Sequence, residues 1–297
     1  MKILVPLDIV HPADGTVDVL ASVTRLREAE VRLLYVREAL PSYEAVIGAE
    51  ADFNDDWNHK VESQARTFLS KVEEQLKPLS GKVSSEIVSG SPAMMIETVA
   101  RDEQCDITAL TPGHKNIVEK FLVGSVTSKV VKHGPGTILI CRPPRAGEYQ
   151  NVVIGIDGSE NSKYAIMRAT ELFRLREENV RITLVHAVDV ADALKMVSPA
   201  EFIGQVVNNL LLEGETFLAD AKRILAENDF KKVDVVLKEG DPTTIMIEVA
   251  RALPADLIII GAQGHSAIQH FLLGSVSHRI AVHAPCTVAV VKPEKTK

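Results

Sequence analysis

The sequence has few of the features that tie a chain to a disulfide framework, a membrane or a nucleic acid. Its three cysteines, Cys105, Cys141 and Cys286, are far apart and odd in number, which indicates small core residues rather than disulfides or a zinc knuckle. No run of about 18 apolar residues occurs, so no membrane span is expected. A formal net charge of −7 disfavours a nucleic-acid surface. These absences favour a soluble globular protein.

Three familiar signals are also missing. Residues 1–6 already read as the start of a strand and leave no room for a signal peptide, so a cytoplasmic location is expected. No G-x4-G-K-[ST] loop occurs, whose lysine would stabilise charge on a transferring phosphate. No two histidines four apart accompany a carboxylate, as a zinc-binding helix would require. Catalytic residues are therefore not predicted.

What the chain does contain is a regular alternation of short apolar runs and amphipathic segments. With 297 residues it is about two ordinary domains long. The alternation predicts an α/β fold with parallel sheets and helices on both faces. In the first half, strands are predicted at 2–7, 31–36, 82–88, 106–110 and 137–141, and helices at 12–27, 58–76, 93–101 and 125–132.

The second half repeats the first. Several short motifs recur 150 positions apart. For example, Gly90-Ser91-Pro92 in the first half corresponds to Gly240-Asp241-Pro242 in the second. Such a register held over most of a half-chain indicates an internal duplication. A proline-rich charged stretch between the copies is typical of a linker. The predicted domains are 1–143 and 150–297.

The most informative stretch is a glycine loop in the second copy, Gly261-Ala262-Gln263-Gly264, which follows a predicted buried strand at 256–260. Glycines let the backbone take positive φ and approach an anion closely. After a nine-residue spacer, Gly274-Ser275-Val276-Ser277 opens a predicted helix at 275–282, whose free amides and serine hydroxyls suit a phosphate. Turn chemistry and helix capping alone would also explain each half of the pattern.

Two further residues are predicted to lie at the same edge of the sheet. Asp157 ends the first strand of the second copy, and Ala187 lies near the end of its second strand, predicted at 182–188. Ligands of open parallel sheets bind outside the carboxyl ends of the strands. The aspartate suits a ribose or base edge, and the alanine suits a flat base. An N-cap or Asx turn before a helix from Ser162 is the alternative role of Asp157.

Together, the aspartate ending strand one and the G-x2-G-x9-G-[ST] pattern after strand four resemble the universal stress protein family, over nearly the whole chain and as two fused copies. The resemblance implies ATP-binding domains with sheet order 3-2-1-4-5, pairing of domains through the fifth strands, and a role in stress physiology. It places base and ribose contacts on Gly155, Ile156, Asp157, Ala187 and Ile260. It places phosphate contacts on Gly261, Gln263, Gly264, Gly274, Ser275, Val276 and Ser277. Mg²⁺ is expected only as the ion that accompanies ATP.

The first copy departs from the pattern at its loop, Thr111-Pro112-Gly113-His114. Threonine disfavours positive φ, proline lacks an N–H donor, and histidine adds bulk where the backbone should approach phosphate. Asp8, Val36, Gly124, Ser125 and Thr127 match the second copy. The first domain is therefore predicted to bind ATP weakly or not at all.

Three functions remain open at this point. The leading hypothesis is an ATP-binding regulator that works by binding, with possible dimerisation of whole chains. The alternative is a slow ATPase or phosphotransferase that uses the same pocket. A lipid or metabolite carrier is the third, because segment 190–212 is unusually apolar; that segment would equally serve as core cover or as a protein interface.

Overall fold

The computed structural model of the chain describes residues 1–9, 15–38, 51–112, 124–143, 149–190, 203–230, 232–264 and 273–293, and the side chains of all of these except 51–58. Within these ranges the strands are rich in valine, isoleucine and leucine, which suits strands buried on both faces.

In the first half of the chain, strands and helices alternate as the sequence predicts. The strands are β1 (Lys2–Leu7), β2 (Glu30–Arg37), β3 (Lys82–Ser89), β4 (Ile107–Leu110) and β5 (Thr137–Ile140). The helices are α1 (Thr16–Val23), α2 (Ala51–Leu76), α3 (Pro92–Asp102) and α4 (Ser125–His133).

The second half has the same order of elements. The strands are β6 (Asn151–Gly155), β7 (Arg181–Val188), β8 (Val233–Glu239), β9 (Leu257–Gly261) and β10 (Thr287–Val291). The helices are α5 (Glu160–Leu172), α6 (Ile203–Glu227), α7 (Pro242–Ala252) and α8 (Ser275–His283).

Each half forms five parallel strands, and the two halves share one sheet. The strand order is β3-β2-β1-β4-β5-β10-β9-β6-β7-β8. Numbered within each copy, this is 3-2-1-4-5 followed by its reverse, so the predicted fold class and strand order are confirmed. The central strand of the first half is β1, and that of the second half is β6. From each central strand the sheet is built outward in both directions, so the topological switch point lies beside it.

The two fifth strands are antiparallel neighbours. Ala289 pairs with Leu139, and Val291 pairs with Thr137. A second contact lies where α1 and α5 end, since Thr24 and Phe173 form an isolated antiparallel bridge. Because the pairing is antiparallel, the carboxyl edges of the two half-sheets face opposite ways. The two copies therefore place their corresponding loops at opposite edges of the molecule.

The sheet is covered on both faces. One core layer packs α1, α2, α5 and α6 on the sheet, with Leu20 and Phe173 fully buried near the junction of the halves. The other layer packs α3, α4, α7 and α8, and includes Ile258 and Val288. All three cysteines are buried, and none of them forms a disulfide bond. Burial, the largest influence, raises the pKa of Cys105 to about 11 and that of Cys141 to about 12, consistent with core residues rather than reactive thiols.

Three helix boundaries differ from those expected. The helix predicted at 58–76 begins earlier, at Ala51, and includes Trp57. The helix predicted at 12–27 instead begins at Thr16 and ends at Val23, and a 3-10 turn (Leu26–Glu28) follows. Thr24 is the C-cap of α1, and its hydroxyl donates to Leu20 O at 2.6 Å, a side-chain bond to the backbone that is typical of a helix end. None of the described helices is long and apolar enough to cross a membrane.

Candidate functional site

The site predicted from the sequence lies where β6 and β9 end. These strands are neighbours in the sheet, with Ile154 paired to Ile259. Gly261 is the last residue of β9, and Asp157 follows the last residue of β6 by two positions. Their shared edge brings Asp157 and the glycine loop together, as the sequence predicts. Ala187 lies in β7 and is therefore one strand further from the glycine loop.

Helix α8 begins beside this loop. Its N-cap, Gly274, has φ −62° and ψ 150°, and its amide donates to Ala262 O at 2.8 Å. The amides of Ser275, Val276 and Ser277 have no acceptor within the helix, because they belong to its first turn. With the positive end of the helix dipole, they form a surface that suits an anion.

The hydroxyl of Ser277 has a different role from the one expected. Its Oγ donates to Gly261 O at 2.7 Å, and the residue is buried. The hydroxyl proton is thus used in a hydrogen bond to the loop and is not available to a ligand. Ser275 is exposed and keeps its hydroxyl at the helix start. Ser277 fixes α8 to the end of β9, while its backbone amide remains part of the helix start.

The loop glycines are needed for close approach, and not for positive φ. Among the glycines described, positive φ occurs at Gly15, Gly90, Gly136, Gly158 and Gly240, but not at Gly261 or Gly264. A Cβ on Gly261 would stand 3.2 Å from Asn161 O. A Cβ on Gly264 would overlap Asp157 Oδ2. What comes close to the loop here is the start of α5 and the turn before it.

Asp157 forms an Asx turn at the end of β6. Its Oδ1 accepts hydrogen bonds from Ser159 N at 3.0 Å and from Ser159 Oγ at 2.6 Å. Ser159 in turn is the N-cap of α5 and accepts from Ser162 N, so that helix begins at Glu160, two residues before the expected start. The turn and the contact with the loop use different oxygens, since Oδ2 faces Gly264. Both roles considered for Asp157 are compatible with this geometry.

Asn161 ties the start of α5 to the glycine loop. Its Nδ2 donates to Gln263 O at 3.2 Å, and its backbone carbonyl lies against Gly261. No motif in the sequence points to this residue, which precedes the helix start predicted at Ser162. Asn161 and Asp157 together join the turn after β6 to the loop after β9.

The apolar floor of the site is closely packed. Ile156 and Ile260 are buried, and a Cβ on Gly155 would stand 3.1 Å from Ile260 Cγ2 and 3.3 Å from Met246 Cε. Gly155 is therefore required by packing beneath the site. The corresponding residue of the first copy is Pro6, since Asp8 corresponds to Asp157.

His186 lies beside the candidate site, and no motif in the sequence points to it. Its Nδ1 lies 2.7 Å from Ile156 O and must carry the proton of this bond, because a carbonyl oxygen only accepts. The ring meets Phe217 edge-on at 5.5 Å. Phe217 also packs against Gly158, where φ is +79° and a Cβ would stand 2.5 Å from the phenyl ring. These residues hold the turn on either side of Asp157. Period-two alternation could have placed His186 on the α6 face of β7, opposite Ala187.

The loop of the first copy is closed differently. The Oγ1 atoms of Thr111 and Thr16 lie 2.7 Å apart and share a hydrogen bond. Thr127 Oγ1 approaches Thr111 O at 3.4 Å, as Ser277 approaches Gly261 in the second copy. A side chain thus fills the position of Gly261. His114 lies outside the described residues, as does His265 of the second copy.

The apolar segment 190–212 falls partly outside the described residues, which resume at Ile203. Within α6 the residues Ile203, Val206, Val207, Leu210 and Leu211 are half-buried, and Leu212 is 60% exposed. Gly214 is the first buried residue of the helix and packs on His186 and Leu237. Helix α6 therefore begins to cover the hydrophobic core at Gly214.

Two other features of the described residues bear on ligand binding. A cavity of about 100 Å³ lies between α5 and α6, lined by Ser162, Lys163, Ile166, Phe217 and Asp220 among others. It is too small for a nucleotide, whose pockets typically exceed about 300 Å³. No cluster of three or more His, Cys, Asp or Glu side chains with metal-ligand geometry occurs in the part of the chain that the structure describes.

Comparison with known proteins agrees with the duplication. The sequence model of the universal stress protein family matches residues 1–142 and again residues 148–292. A universal stress protein of Staphylococcus epidermidis is 32% identical over 148 residues, which is 50% of this chain and 86% of that protein. One from Staphylococcus aureus strain USA300 is 31% identical over the same shares. The crystal structure of a universal stress protein from Archaeoglobus fulgidus superposes with a TM-score of 0.70 at 17% identity, covering 100% of this chain and 97% of that one. This last likeness concerns the fold alone.

Proposed function

Because the chain belongs to the universal stress protein family, with two family domains in tandem, we propose that it is an ATP-binding regulator with one nucleotide site, in the second domain. The first domain comprises residues 1–143 and the second 150–297. The observation that carries the proposal is the joined edge of β6 and β9, where Asp157, the glycine loop and the start of α8 meet. ATP is bound there with the Mg²⁺ that accompanies it.

The residues present fit a nucleotide. The amides of Ser275, Val276 and Ser277, the exposed Ser275 hydroxyl and the dipole of α8 hold phosphate oxygens. Asp157 Oδ2 accepts hydrogen bonds from the ribose or the base. The remaining proposed contacts are the glycine loop residues Gly261, Gln263 and Gly264, the N-cap Gly274, and the apolar or small residues Gly155, Ile156, Ala187 and Ile260.

Binding rather than catalysis is the proposed activity. None of the proposed phosphate contacts carries a positive side chain, so charge developing on a transferring phosphate would be stabilised by amides and Mg²⁺ only. We expect hydrolysis, if any, far below the ~10 s⁻¹ of a typical enzyme. Nucleotide occupancy instead alters contacts of the chain with partners or with a second copy.

The first domain serves as the fixed pairing partner of the second. Its loop position 111 is filled by a threonine bonded to Thr16, and Pro112 lacks an amide donor. Joining the two copies in one chain raises their effective concentration and stabilises an internal pair through β5 and β10. We therefore expect one ATP per chain.

The test is a titration of ATP into nucleotide-free protein by calorimetry, with the stoichiometry as the deciding number. One site per chain supports the proposal, and two equal sites would overturn the assignment of the first domain. Gly274→Glu then tests the location, because it places a negative charge at the start of α8. It should weaken binding at least about tenfold.

Two controls accompany this variant. Gly274→Gln has the same shape without the charge, and Gly274→Ala is accommodated, since the nearest heavy atom to its Cβ is 3.4 Å away. Both should bind ATP much more tightly than the glutamate variant. Equal affinity of the Glu and Gln variants would show that phosphate does not bind at this helix. Gly261→Val is less informative, because its side chain would meet Asn161 whether or not phosphate binds there.

A further inference from the structure

A buried arginine of the first half reaches the far end of the helix that opens the nucleotide site. Arg142 follows β5, and its guanidinium donates to Ala281 O at 2.7 Å, to Val282 O at 3.1 Å and to Cys286 O at 3.1 Å. The first two carbonyls belong to the last turn of α8, where no amide of the helix can reach them. A cation at this position also complements the negative end of the helix dipole.

The backbone of Arg142 is fixed as firmly as its side chain. The Thr287 hydroxyl accepts from Arg142 N and donates to Arg142 O, both at 3.1 Å. Arg142 is only 7% exposed, and its burial lowers the pKa of the guanidinium to about 10. Charges are rarely buried to this extent unless several acceptors surround them. The contact is therefore a built junction between the halves rather than a surface ion pair.

The reciprocal contact exists on the other side of the junction. Lys292 follows β10 as Arg142 follows β5, and its Nζ donates to Gly134 O at 2.5 Å, just beyond the end of α4. Each half thus sends one cation to the C-terminal end of the other half's last helix. Only α8 among these two helices starts beside an unaltered glycine loop.

Helix α8 is short enough for its two ends to move together. The helix has nine residues, so its first-turn amides and the carbonyls bound by Arg142 are roughly 10 Å apart on one rigid element. Ser277 ties the first turn to Gly261, and Arg142 ties the last turn to the first half. Tilting either end displaces the other.

We propose that Arg142 is a positioning residue for the nucleotide site: by holding the C-terminal end of α8, the first domain sets the placement of the amides that bind phosphate. This inference rests on the proposed function. It gives the first domain a part in ATP affinity although its own loop is altered.

The test compares Arg142→Met with Lys292→Met as its matched control. Arg142→Met should weaken ATP binding by roughly tenfold and leave adenosine binding within about twofold of the parent, because only the phosphate contacts depend on α8. Lys292→Met removes the reciprocal contact and acts on α4, so its ATP affinity should equal that of the parent. Arg142→Lys, which carries the side chain found at the reciprocal position, should recover most of the loss.

Hydrogen exchange supplies a readout independent of any nucleotide. Exchange should rise in the peptide that covers α8 in Arg142→Met, and in the peptide that covers α4 in Lys292→Met. Parental ATP affinity in folded Arg142→Met would overturn the inference, as would equal losses for ATP and adenosine, or equal losses in both variants. If the parent itself binds no ATP, the proposed function fails together with the nucleotide part of this inference. The α8-specific exchange then decides alone whether Arg142 positions the helix.

Discussion

Asp157 and Gly264 are in direct contact across the carboxyl edge of the sheet, with Oδ2 of the aspartate at the place that a Cβ on the glycine would need. One residue follows β6 and the other ends the loop after β9. The part of the site assigned to the ribose and base and the part assigned to phosphate therefore pack as one unit. A substitution in either part should therefore alter the geometry of the other.

Gly264→Ala should accordingly displace Asp157 or the loop. We expect a destabilisation of about 1–3 kcal/mol, as for other overpacked positions, and a loss of ATP affinity of about tenfold or more. Denaturant unfolding and calorimetry measure the two effects. Gly204→Ala in α6 is the control, since no heavy atom lies within 4 Å of its added Cβ. It should stabilise the helix by about 0.5–1 kcal/mol and leave ATP binding unchanged. Parental affinity in Gly264→Ala would contradict the assigned contact.

The hydrogen bond between Thr16 and Thr111 should contribute to the stability of the first domain. Thr111→Val removes one hydroxyl and leaves the other without its partner, at a cost of about 1–3 kcal/mol. The double variant Thr16→Val/Thr111→Val should cost less than the sum of the single variants, with a coupling of about 1 kcal/mol. Urea unfolding of the four proteins measures this. Strict additivity would mean that the two hydroxyls do not interact.

Replacing Thr111 alone should not create a second nucleotide site, because Pro112 and His114 also differ from the second copy. Thr111→Gly opens the position that corresponds to Gly261, but Pro112 still lacks an amide donor and His114 still stands in place of Gly264. We expect this variant to keep one ATP per chain by calorimetry. A second site of similar affinity would show that the threonine alone blocks the first domain.

The fold could be predicted from the sequence further than the site could. The short apolar runs and the motifs repeated 150 residues apart predict the strands of each copy and the duplication, whereas the strand order is implied by the resemblance to the universal stress protein family. Contacts made by single polar groups across elements are not periodic. The sequence pattern therefore identifies Gly264 but not its contact with Asp157, and it predicts that the Ser277 hydroxyl meets a ligand, whereas Gly261 O accepts its hydrogen bond. Ala51 illustrates another limit, because helix ends depend on packing that propensity does not encode.

Asp241 should make the start of α7 sensitive to acid. It is the N-cap of that helix and accepts hydrogen bonds from Thr244 N and Thr244 Oγ1, both at 2.9 Å, while Arg279 pairs with its other oxygen. Burial is the largest single influence and raises the pKa of Asp241, but these hydrogen bonds and the charge of Arg279 together outweigh it and hold the pKa below its ordinary value. The ionised form is thus favoured by the fold.

Because the folded-state pKa is lowered, the stabilisation is present above about pH 4, the ordinary range of an aspartate, and is lost as the pH falls through the folded-state pKa. Asp241→Ala should cost about 1 kcal/mol at pH 7, the usual worth of an N-cap. Asp241→Asn keeps a capping oxygen and removes the charge, so its smaller deficit should vanish in acid. Denaturant unfolding at several pH values tests this. A deficit of the Asn variant that is constant down to pH 2.5 would contradict the role of the charge.

His186 should matter for the ribose and base side of the site through the turn that it holds. His186→Phe keeps a ring against Phe217 but removes the donor to Ile156 O, leaving a carbonyl without its partner, so a destabilisation of about 1–3 kcal/mol is expected. Asp157 adjoins Ile156, and its placement should loosen with the turn. Adenosine binding should therefore weaken severalfold, which calorimetry can measure.

His186→Asn places an N–H donor near the position of Nδ1 and should restore adenosine binding, although the lost ring leaves a void beside Gly214. If the Phe variant binds adenosine as the parent does, the histidine supports the packing of α6 only and has no part in ligand binding.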